Sequence, residues 1–213
     1  MSNKGPFNAY VSAVGHFFPE KVIPNSYYES YLETTDEWIK TRTGISERRF
    51  LEPDQPTSYM AIRAAKMILE KRGISAEELD LIIVSTVTPD MMYPATAVLV
   101  AEAIGAKNAW GFDLSAACSG FIFGLSTAMQ FIQSGTYKKV LIIGADKMQA
   151  IADMTDRNNC VLFGDAAAGF LLEPTEDKTI GILDHVLHVD GSGKDFLNQP
   201  GGGSLNPASH ETV

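Results

Sequence analysis

The sequence predicts an α/β fold in which a sheet of mostly parallel strands is covered by helices. Residues 79–87 and 139–144 are near-continuous apolar runs, the pattern of strands that are buried on both faces. Between such runs lie segments whose apolar residues recur at helical spacing, and several of these segments end at a glycine. Buried strands that alternate with helices indicate a mostly parallel sheet packed between helices.

The first part of the chain is expected to give a strand, three helices and a second, buried strand. Pro19 and Pro24 close the first apolar stretch, and Gly44 and Gly73 lie where helices are expected to stop. In chain order the predicted elements are a strand over 7–17, a loop to Pro24, helices over 25–32, 36–43 and 58–71, and a strand over 79–87.

The second part alternates helices with strands. Pro94 lies where a helix can begin, and Gly105 lies where that helix can stop. The predicted elements are a helix over 95–104, a strand over 109–114, a helix from about Phe121 to Gly135, and strands over 139–144, 166–172 and 180–189.

A cysteine lies at the turn between a predicted strand and a predicted helix. Residues 109–114 are apolar apart from Asp113, and helical spacing begins at Phe121, so Cys118 falls where the helix starts. The first turn of a helix leaves N–H groups unpaired and carries a partial positive charge, and both favour a thiolate. Cys118 is therefore a candidate nucleophile. The spacing leaves a buried structural cysteine as an equal alternative.

Composition and charge limit the class of protein. A formal net charge of −9 argues against nucleic acid or an anionic membrane as the main partner. No stretch approaches the ~20 unbroken apolar residues of a spanning helix, and the N-terminus has no apolar signal-peptide core. Two cysteines are too few for a disulfide framework. We therefore expect a cytoplasmic protein whose thiols are reduced.

The densest basic group consists of Arg42, Arg48 and Arg49. An acidic chain can dock an acidic partner only through a local basic patch, so this group is the candidate patch. Arg48 and Arg49 are nevertheless interpreted as part of a solvated surface, because most charge clusters are solvated.

Four segments, in order, resemble the β-ketoacyl-acyl carrier protein synthase III family of the thiolase superfamily. Residues 113–121, which contain Cys118, are similar to its active-cysteine segment. Residues 33–49 resemble its signature near the N-terminus, and residues 153–157 and 162–169 resemble the segment after its active-site helix. The similarity extends over essentially the whole chain and favours a nucleophilic Cys118.

The resemblance implies a thiolase-like fold, in which two similar βαβαβαββ halves pack into αβαβα layers. On this basis residues 1–175 are expected to form the N-terminal half with the nucleophile. Residues 176–213 are expected to supply the last strands and a connector toward the second half, which is absent from the sequence. A truncated chain, a proteolysed protein or a second polypeptide would each explain that absence.

For activity, the resemblance implies an acyltransferase that starts type II fatty-acid biosynthesis. Acetyl-CoA or another short acyl-CoA would acylate Cys118, and malonyl-acyl carrier protein would lose CO2 and attack the acyl group. Coenzyme A thioester is then a substrate, no cofactor is bound permanently and no metal is implied.

The resemblance also implies three protein partners. They are the acyl carrier protein, a second copy of the chain in a homodimer, and a C-terminal polypeptide that carries a catalytic histidine and asparagine. None of the four histidines present lies in a matching motif: His16, His185, His188 and His210.

Four residues are implicated in binding coenzyme A. Trp38 and Arg42 are four residues apart, on one face of a predicted helix. The resemblance implies that Trp38 and Arg157 sandwich the adenine, that Arg42 meets the phosphates and that Thr34 hydrogen-bonds the adenine. From the residues alone, a surface packing contact is the commoner interpretation of a Trp/Arg pair.

Two aromatic residues are implicated in the acyl pocket. The resemblance implies that Tyr93 crosses the dimer interface to close the partner's acyl pocket, and that Phe163 lies near Cys118. On local sequence alone, both are equally well interpreted as ordinary core aromatics.

Three other functions remain open at the level of sequence. The chain resembles in outline other thiolase-superfamily acyltransferases, which condense or transfer different acyl groups. It could instead be a non-catalytic binding or dimerisation half, because the histidine and asparagine segments are missing. A cysteine hydrolase is less favoured, since no partner histidine can be named.

Overall fold

A five-stranded sheet with helices on both faces forms the centre of the structure. The structure is a computed structural model, and it describes residues 5–210. The strands are β1 (Asn8–Phe17), β2 (Lys21–Pro24), β3 (Glu47–Phe50), β4 (Leu81–Ser85), β5 (Trp110–Leu114), β6 (Val140–Lys147) and β7 (Asp165–Thr175). The α-helices are α1 (Asn25–Glu29), α2 (Asp36–Thr43), α3 (Thr57–Arg72), α4 (Thr96–Ile104) and α5 (Gly120–Gln133).

The large sheet is mixed rather than mostly parallel. Its strand order is β1-β7-β6-β4-β5, with β4 parallel to both β5 and β6. β7 runs antiparallel to both β6 and β1. A parallel pairing needs a crossover, usually a helix, and the connection from β6 to β7 contains no α-helix. The expectation of a mostly parallel sheet is therefore wrong for its β1-β7-β6 side.

The order of the central elements agrees with the sequence prediction. β1, α3, β4, α4, β5, α5, β6 and β7 follow one another as a βαβαβαββ unit, and each lies within a few residues of its predicted span. The small antiparallel sheet of β2 and β3 was not predicted, because residues 19–24 were expected to form a loop. Strands of four residues are too short to show a clear alternation of apolar and polar residues.

The strand predicted over 180–189 does not form. Ile182 N donates to Ala9 O at 2.8 Å, and Asn8 Nδ2 donates to Ile180 O at 3.0 Å. A strand needs a continuous ladder of such bonds along a neighbour, and these two contacts do not make one. Val186 and Val189 are 81% and 82% exposed. The expectation that residues 176–213 supply the last strands is therefore wrong for the described part of this segment.

Two apolar layers hold the helices against the sheet. Because side chains alternate along a strand, one face of β4 presents Ile82 and Val84 to α3 and α4. The opposite face presents Leu81 and Ile83 to α5. Among residues 5–210, no helix combines the length and the apolar character needed to cross a membrane.

Two glycines allow α5 to lie directly on the sheet. A Cβ atom at Gly120 would meet Ser85 Oγ at 2.2 Å, and one at Gly124 would meet Ile142 Cδ1 at 2.6 Å. Both distances are far below van der Waals contact, so a larger residue would displace the Ser85 hydroxyl or the end of the Ile142 side chain. The close packing fixes the height of the α5 N-terminus above the end of β4.

Carboxylates from a strand and from a loop cap the N-termini of two helices. Asp113, the polar residue of β5, accepts hydrogen bonds from Thr96 N at 2.6 Å and Ala97 N at 2.8 Å. Asp90 likewise accepts from Ser58 N at 2.8 Å. Such bonds satisfy N–H groups that the first turn of a helix leaves unpaired. They hold α3 against the loop that follows β4, and α4 against β5.

Candidate active site

Cys118 lies in a single 3₁₀ turn, Ala117–Ser119, that connects β5 to α5. This is the strand-turn-helix position that the sequence predicts. Ala117 has a φ of 45°, a conformation that is uncommon for residues other than glycine. The Cys118 side chain is exposed. The turn therefore presents the thiol at the surface instead of burying it.

A cavity of about 590 Å³ opens beside this thiol. Its walls come from the end of β6, the start of β7, residues 148–152 and residues 197–199. Phe163 lines it together with Cys118, so the structure brings these two residues together. Most of the lining is apolar and small, so the cavity has room for a short acyl chain next to the sulfur.

Tyr93 does not line this cavity. It lies on the loop 86–95 and is 84% exposed, next to Met92, which is also 84% exposed. Within one copy of the chain, the structure therefore does not bring Tyr93 to Cys118. Tyr93 is expected to enter the cavity of a partner chain, and only an exposed side chain can do so.

Trp38, Arg42 and Arg157 form one cluster on the surface. The guanidinium carbon of Arg42 lies 4.3 Å from the centre of the Trp38 ring, and that of Arg157 lies 5.0 Å from it. Arg157 Nη1 also donates to Glu33 O. An indole ring with two guanidinium groups beside it offers the aromatic and cationic surfaces that a nucleotide needs.

Thr34 lies at the start of the segment that carries this cluster. Its hydroxyl oxygen is buried and has no hydrogen-bond partner among residues 5–210. The next residue, Thr35, caps α2 by accepting from Trp38 N at 3.0 Å, and Gly44 ends the helix with a φ of 75°. The cap and the stop therefore position Trp38 and Arg42 on one face of α2.

Arg48 is buried, which contradicts its interpretation as part of a solvated surface. The residue is 6% exposed, and its guanidinium group donates to Ile23 O, Asn25 Oδ1 and Val161 O at 2.7–3.2 Å. Burial holds the pKa of Arg48 below its usual value. Arg48 therefore joins β2 to the segment before β7, and Arg49 is half-buried beside it.

Sequence reasoning missed Asp146 as a site residue. It lies near the end of β6 and lines the cavity with Cys118. Its Oδ1 atom accepts from Val87 N, Thr86 Oγ1 and Thr88 Oγ1. A signal was present, because Asp146 is the first charged residue after the apolar run 140–145, at the carboxyl end of a parallel strand.

No histidine belongs to the described lining of the cavity. His185 Nε2 lies 3.2 Å from Ser126 Oγ on α5, and His185 and His188 are both exposed. Residues 5–210 also contain no group of three or more His, Cys, Asp or Glu placed to hold a metal ion. From this chain, then, the cavity has a thiol but no imidazole beside it.

The two thiols are expected to react at very different rates. Cys160 is 1% exposed, and burial raises the pKa of its thiol, with a further rise from Asp156. Since the thiolate is the nucleophile, iodoacetamide is expected to modify Cys118 at least about tenfold faster than Cys160. Peptide mapping after limited alkylation measures this ratio, with Cys160→Ala as the matched control. Equal labelling of the two residues would contradict the observed difference in burial.

Comparisons with known proteins agree with this geometry. A sequence profile of the 3-oxoacyl-[acyl-carrier-protein (ACP)] synthase III family matches residues 112–191, the part with Cys118 and most of the cavity. A β-ketoacyl-[acyl-carrier-protein] synthase III of Chlorobium phaeovibrioides is 55% identical over 208 residues, or 97% of this chain. The chain spans 63% of that protein's length.

Solved structures show the same fold. A β-ketoacyl-[acyl carrier protein] synthase III from Thermus thermophilus superimposes with a TM-score of 0.87 and 36% identity, over 96% of this chain and 62% of that one. The priming β-ketosynthase of the R1128 polyketide biosynthetic pathway superimposes with a TM-score of 0.79 and 38% sequence identity. The match covers 81% of this chain and 52% of that one. The fold is thus thiolase-like, and the chain is similar over nearly its whole length to β-ketoacyl-[acyl-carrier-protein] synthase III proteins.

Proposed function

We propose that Cys118 is the nucleophile of an initiating β-ketoacyl-acyl carrier protein synthase. The observation that carries this proposal is an exposed thiol, at the turn into a helix, beside a cavity of about 590 Å³. The 55% identity to a synthase III supports it. Phe163 lines the same cavity and is proposed as an acyl-pocket residue.

The reaction that follows has two stages. The Cys118 thiolate attacks the thioester carbonyl of acetyl-CoA or another short acyl-CoA, forming a thioester and releasing coenzyme A. Malonyl-acyl carrier protein then loses CO2, and the resulting carbanion attacks the acyl carbonyl and displaces the Cys118 sulfur. Both stages need donors for a tetrahedral oxyanion, and the second stage also needs donors for the enolate. In this proposal they include a histidine and an asparagine of a C-terminal polypeptide.

We propose that the cluster around Trp38 binds the adenine nucleotide of coenzyme A. Trp38 and Arg157 would hold the adenine, and Arg42 would meet the phosphates. The two stacked guanidinium groups support this assignment. The buried, unpartnered hydroxyl of Thr34 supports a hydrogen bond to the adenine, because buried polar groups rarely stay unpaired.

The remaining assignments concern the organisation of the protein. We propose that residues 1–175 form the N-terminal half of a thiolase-like protein and that residues 176–213 connect it toward the second half. Tyr93 would close the acyl pocket of the partner in a homodimer, which its 84% exposure supports. Acyl carrier protein is the proposed protein substrate, and the cytoplasm is the proposed location.

A condensation assay tests the activity. The chain, together with the polypeptide that completes its fold, is incubated with acetyl-CoA and malonyl-acyl carrier protein. The proposal expects β-ketoacyl-carrier protein, free coenzyme A and CO2 in equal amounts. Coenzyme A release without CO2 would point to acyl transfer of a different kind.

Replacing Trp38 with alanine is expected to weaken coenzyme A binding by about fivefold to 150-fold, since stacking on an aromatic ring is worth about 1–3 kcal/mol per base. Calorimetric titration with coenzyme A measures the change. Trp110→Phe is the control, because Trp110 contacts Tyr137 and Phe131 and lies outside the cluster. Equal affinities for the Trp38→Ala and Trp110→Phe variants would contradict the adenine site.

A second candidate is a priming synthase that uses other acyl groups. The 38% identity to the priming β-ketosynthase of the R1128 pathway favours it. The two candidates differ in the acyl-CoA that acylates Cys118 fastest, so a series of acyl-CoA thioesters of increasing length distinguishes them. A non-catalytic half is the third candidate, and it expects no acylation from any thioester.

A further inference from the structure

Asp146 is the only acidic or basic residue among the described residues that line the cavity. We propose that it determines specificity, by disfavouring acyl groups that carry a negative charge at Cys118. This role for Asp146 rests on the proposed function of Cys118, because it concerns which thioesters acylate that residue. The electrostatic effect itself does not depend on that function.

Three neutral donors hold the Asp146 carboxylate in one position. Its Oδ1 atom accepts from Val87 N at 2.8 Å, Thr86 Oγ1 at 3.0 Å and Thr88 Oγ1 at 3.1 Å. None of these donors carries a positive charge, so they position the carboxyl group without pairing it with a cation. The carboxylate is therefore fixed in the cavity wall.

No cation within the described residues forms an ion pair with Asp146. The adjacent residue, Lys147, points elsewhere, because its Nζ donates to the carbonyl oxygens of Glu52, Pro53 and Gln55 at 2.7–3.2 Å. Successive side chains of a strand point to opposite faces, which separates the two charges. The charge of Asp146 therefore acts on whatever enters the cavity.

Such a charge is useful in a condensing enzyme. The two substrates differ at the end of the acyl chain, which is neutral in acetyl and a carboxylate in malonyl. If Cys118 accepted malonyl, the sulfur would be blocked for the neutral primer. A like charge in a mostly apolar wall raises the free energy of the wrong acyl-enzyme and leaves the correct one unaffected. Asp146 would thus keep malonyl as the attacking group.

The first test uses two alkylating reagents that differ only in charge. Iodoacetamide is neutral and iodoacetate is an anion, and each forms a C–S bond to Cys118 with loss of iodide. The ratio of their rate constants at Cys118 measures the local charge. In the Asp146→Asn variant, iodoacetate should gain about threefold to tenfold relative to iodoacetamide, as expected for removing one nearby charge.

Two variants control this measurement. Glu102→Gln also removes one negative charge, but Glu102 is exposed on α4 and lies outside the cavity. This control should leave the ratio within about twofold of the unmodified chain. If Asp146→Asn fails to fold, Asp146→Ser removes the same charge and should favour iodoacetate in the same way. An unchanged ratio in whichever of these two variants folds would overturn the proposal.

The second test compares butyryl-CoA with succinyl-CoA, two thioesters with similar acyl lengths and different charges. Intact mass reports how much of each acyl group reaches Cys118. In the Asp146→Asn variant the share of succinyl should rise about threefold to tenfold. If the alkylation ratio changes and no thioester acylates Cys118, the proposed function fails while the electrostatic role of Asp146 stands. If thioesters acylate Cys118 and neither ratio changes, the role of Asp146 fails alone.

Discussion

Replacing Cys118 with alanine is expected to lower acyl transfer from acetyl-CoA by about 10⁴-fold or more, to the uncatalysed background. The thioester cannot form without the sulfur. Cys118 is the only cysteine among the described residues that line the cavity, and Cys160 is buried outside it. The measurement is the rate at which coenzyme A is released from acetyl-CoA by the chain and its completing polypeptide.

Cys160→Ala is the control for this loss. Both changes remove one thiol, but Cys160 packs with Tyr28 and Ile39 in a separate apolar cluster. Transfer in this variant should stay within about twofold of the unmodified chain, provided that the fold is retained. Equal losses in the two variants would indicate a structural effect and contradict the role given to Cys118.

Replacing Arg48 with methionine is expected to lower the free energy of unfolding by about 3 kcal/mol. Methionine fills similar space but donates no hydrogen bonds, so Ile23 O, Asn25 Oδ1 and Val161 O would lose their donor. Arg48 also lies over the ring of Tyr28, with its guanidinium carbon 4.9 Å from the ring centre. Urea denaturation of the two proteins measures the difference.

Arg49→Met is the matched control. Arg49 is the adjacent residue, and its contacts are to the carbonyls of Pro19 and Glu20 and to Glu47 at 3.6 Å, near the surface. Replacing Arg49 should lower the free energy of unfolding by no more than about 1 kcal/mol. If the two substitutions lower the free energy of unfolding equally, the buried hydrogen bonds of Arg48 do not account for its contribution to stability.

The sequence was most informative where local patterns act alone. Gly44 ends α2, as predicted from the sequence, and the adjacent local signal at its start is the Thr35 cap. The position of Cys118 also followed from local signals, because the apolar run of β5 and the helical period of α5 meet there. These features depend on residues within a few positions of one another, so one sequence is enough to find them.

Contacts between distant residues were not predictable in this way. Asp146 holds residues 86–88, and Asp90 caps α3, across separations of 32–60 residues. Arg48 was interpreted as solvated because a single sequence shows its charge but not the carbonyl groups that surround it. The strand expected over 180–189 does not form for a similar reason. Apolar residues can indicate a strand, but a strand also needs a neighbour to pair with, and a single sequence does not show whether one is present.

The most direct test of the central claim is an intact-mass spectrum of the chain with and without acetyl-CoA, followed by peptide mapping. We predict one added acetyl group, located on Cys118, when the completing polypeptide is present. The Cys118→Ala variant should show no addition under the same conditions. An acetyl group on any other residue, or none on the complete protein, would contradict the assignment of Cys118 as the nucleophile.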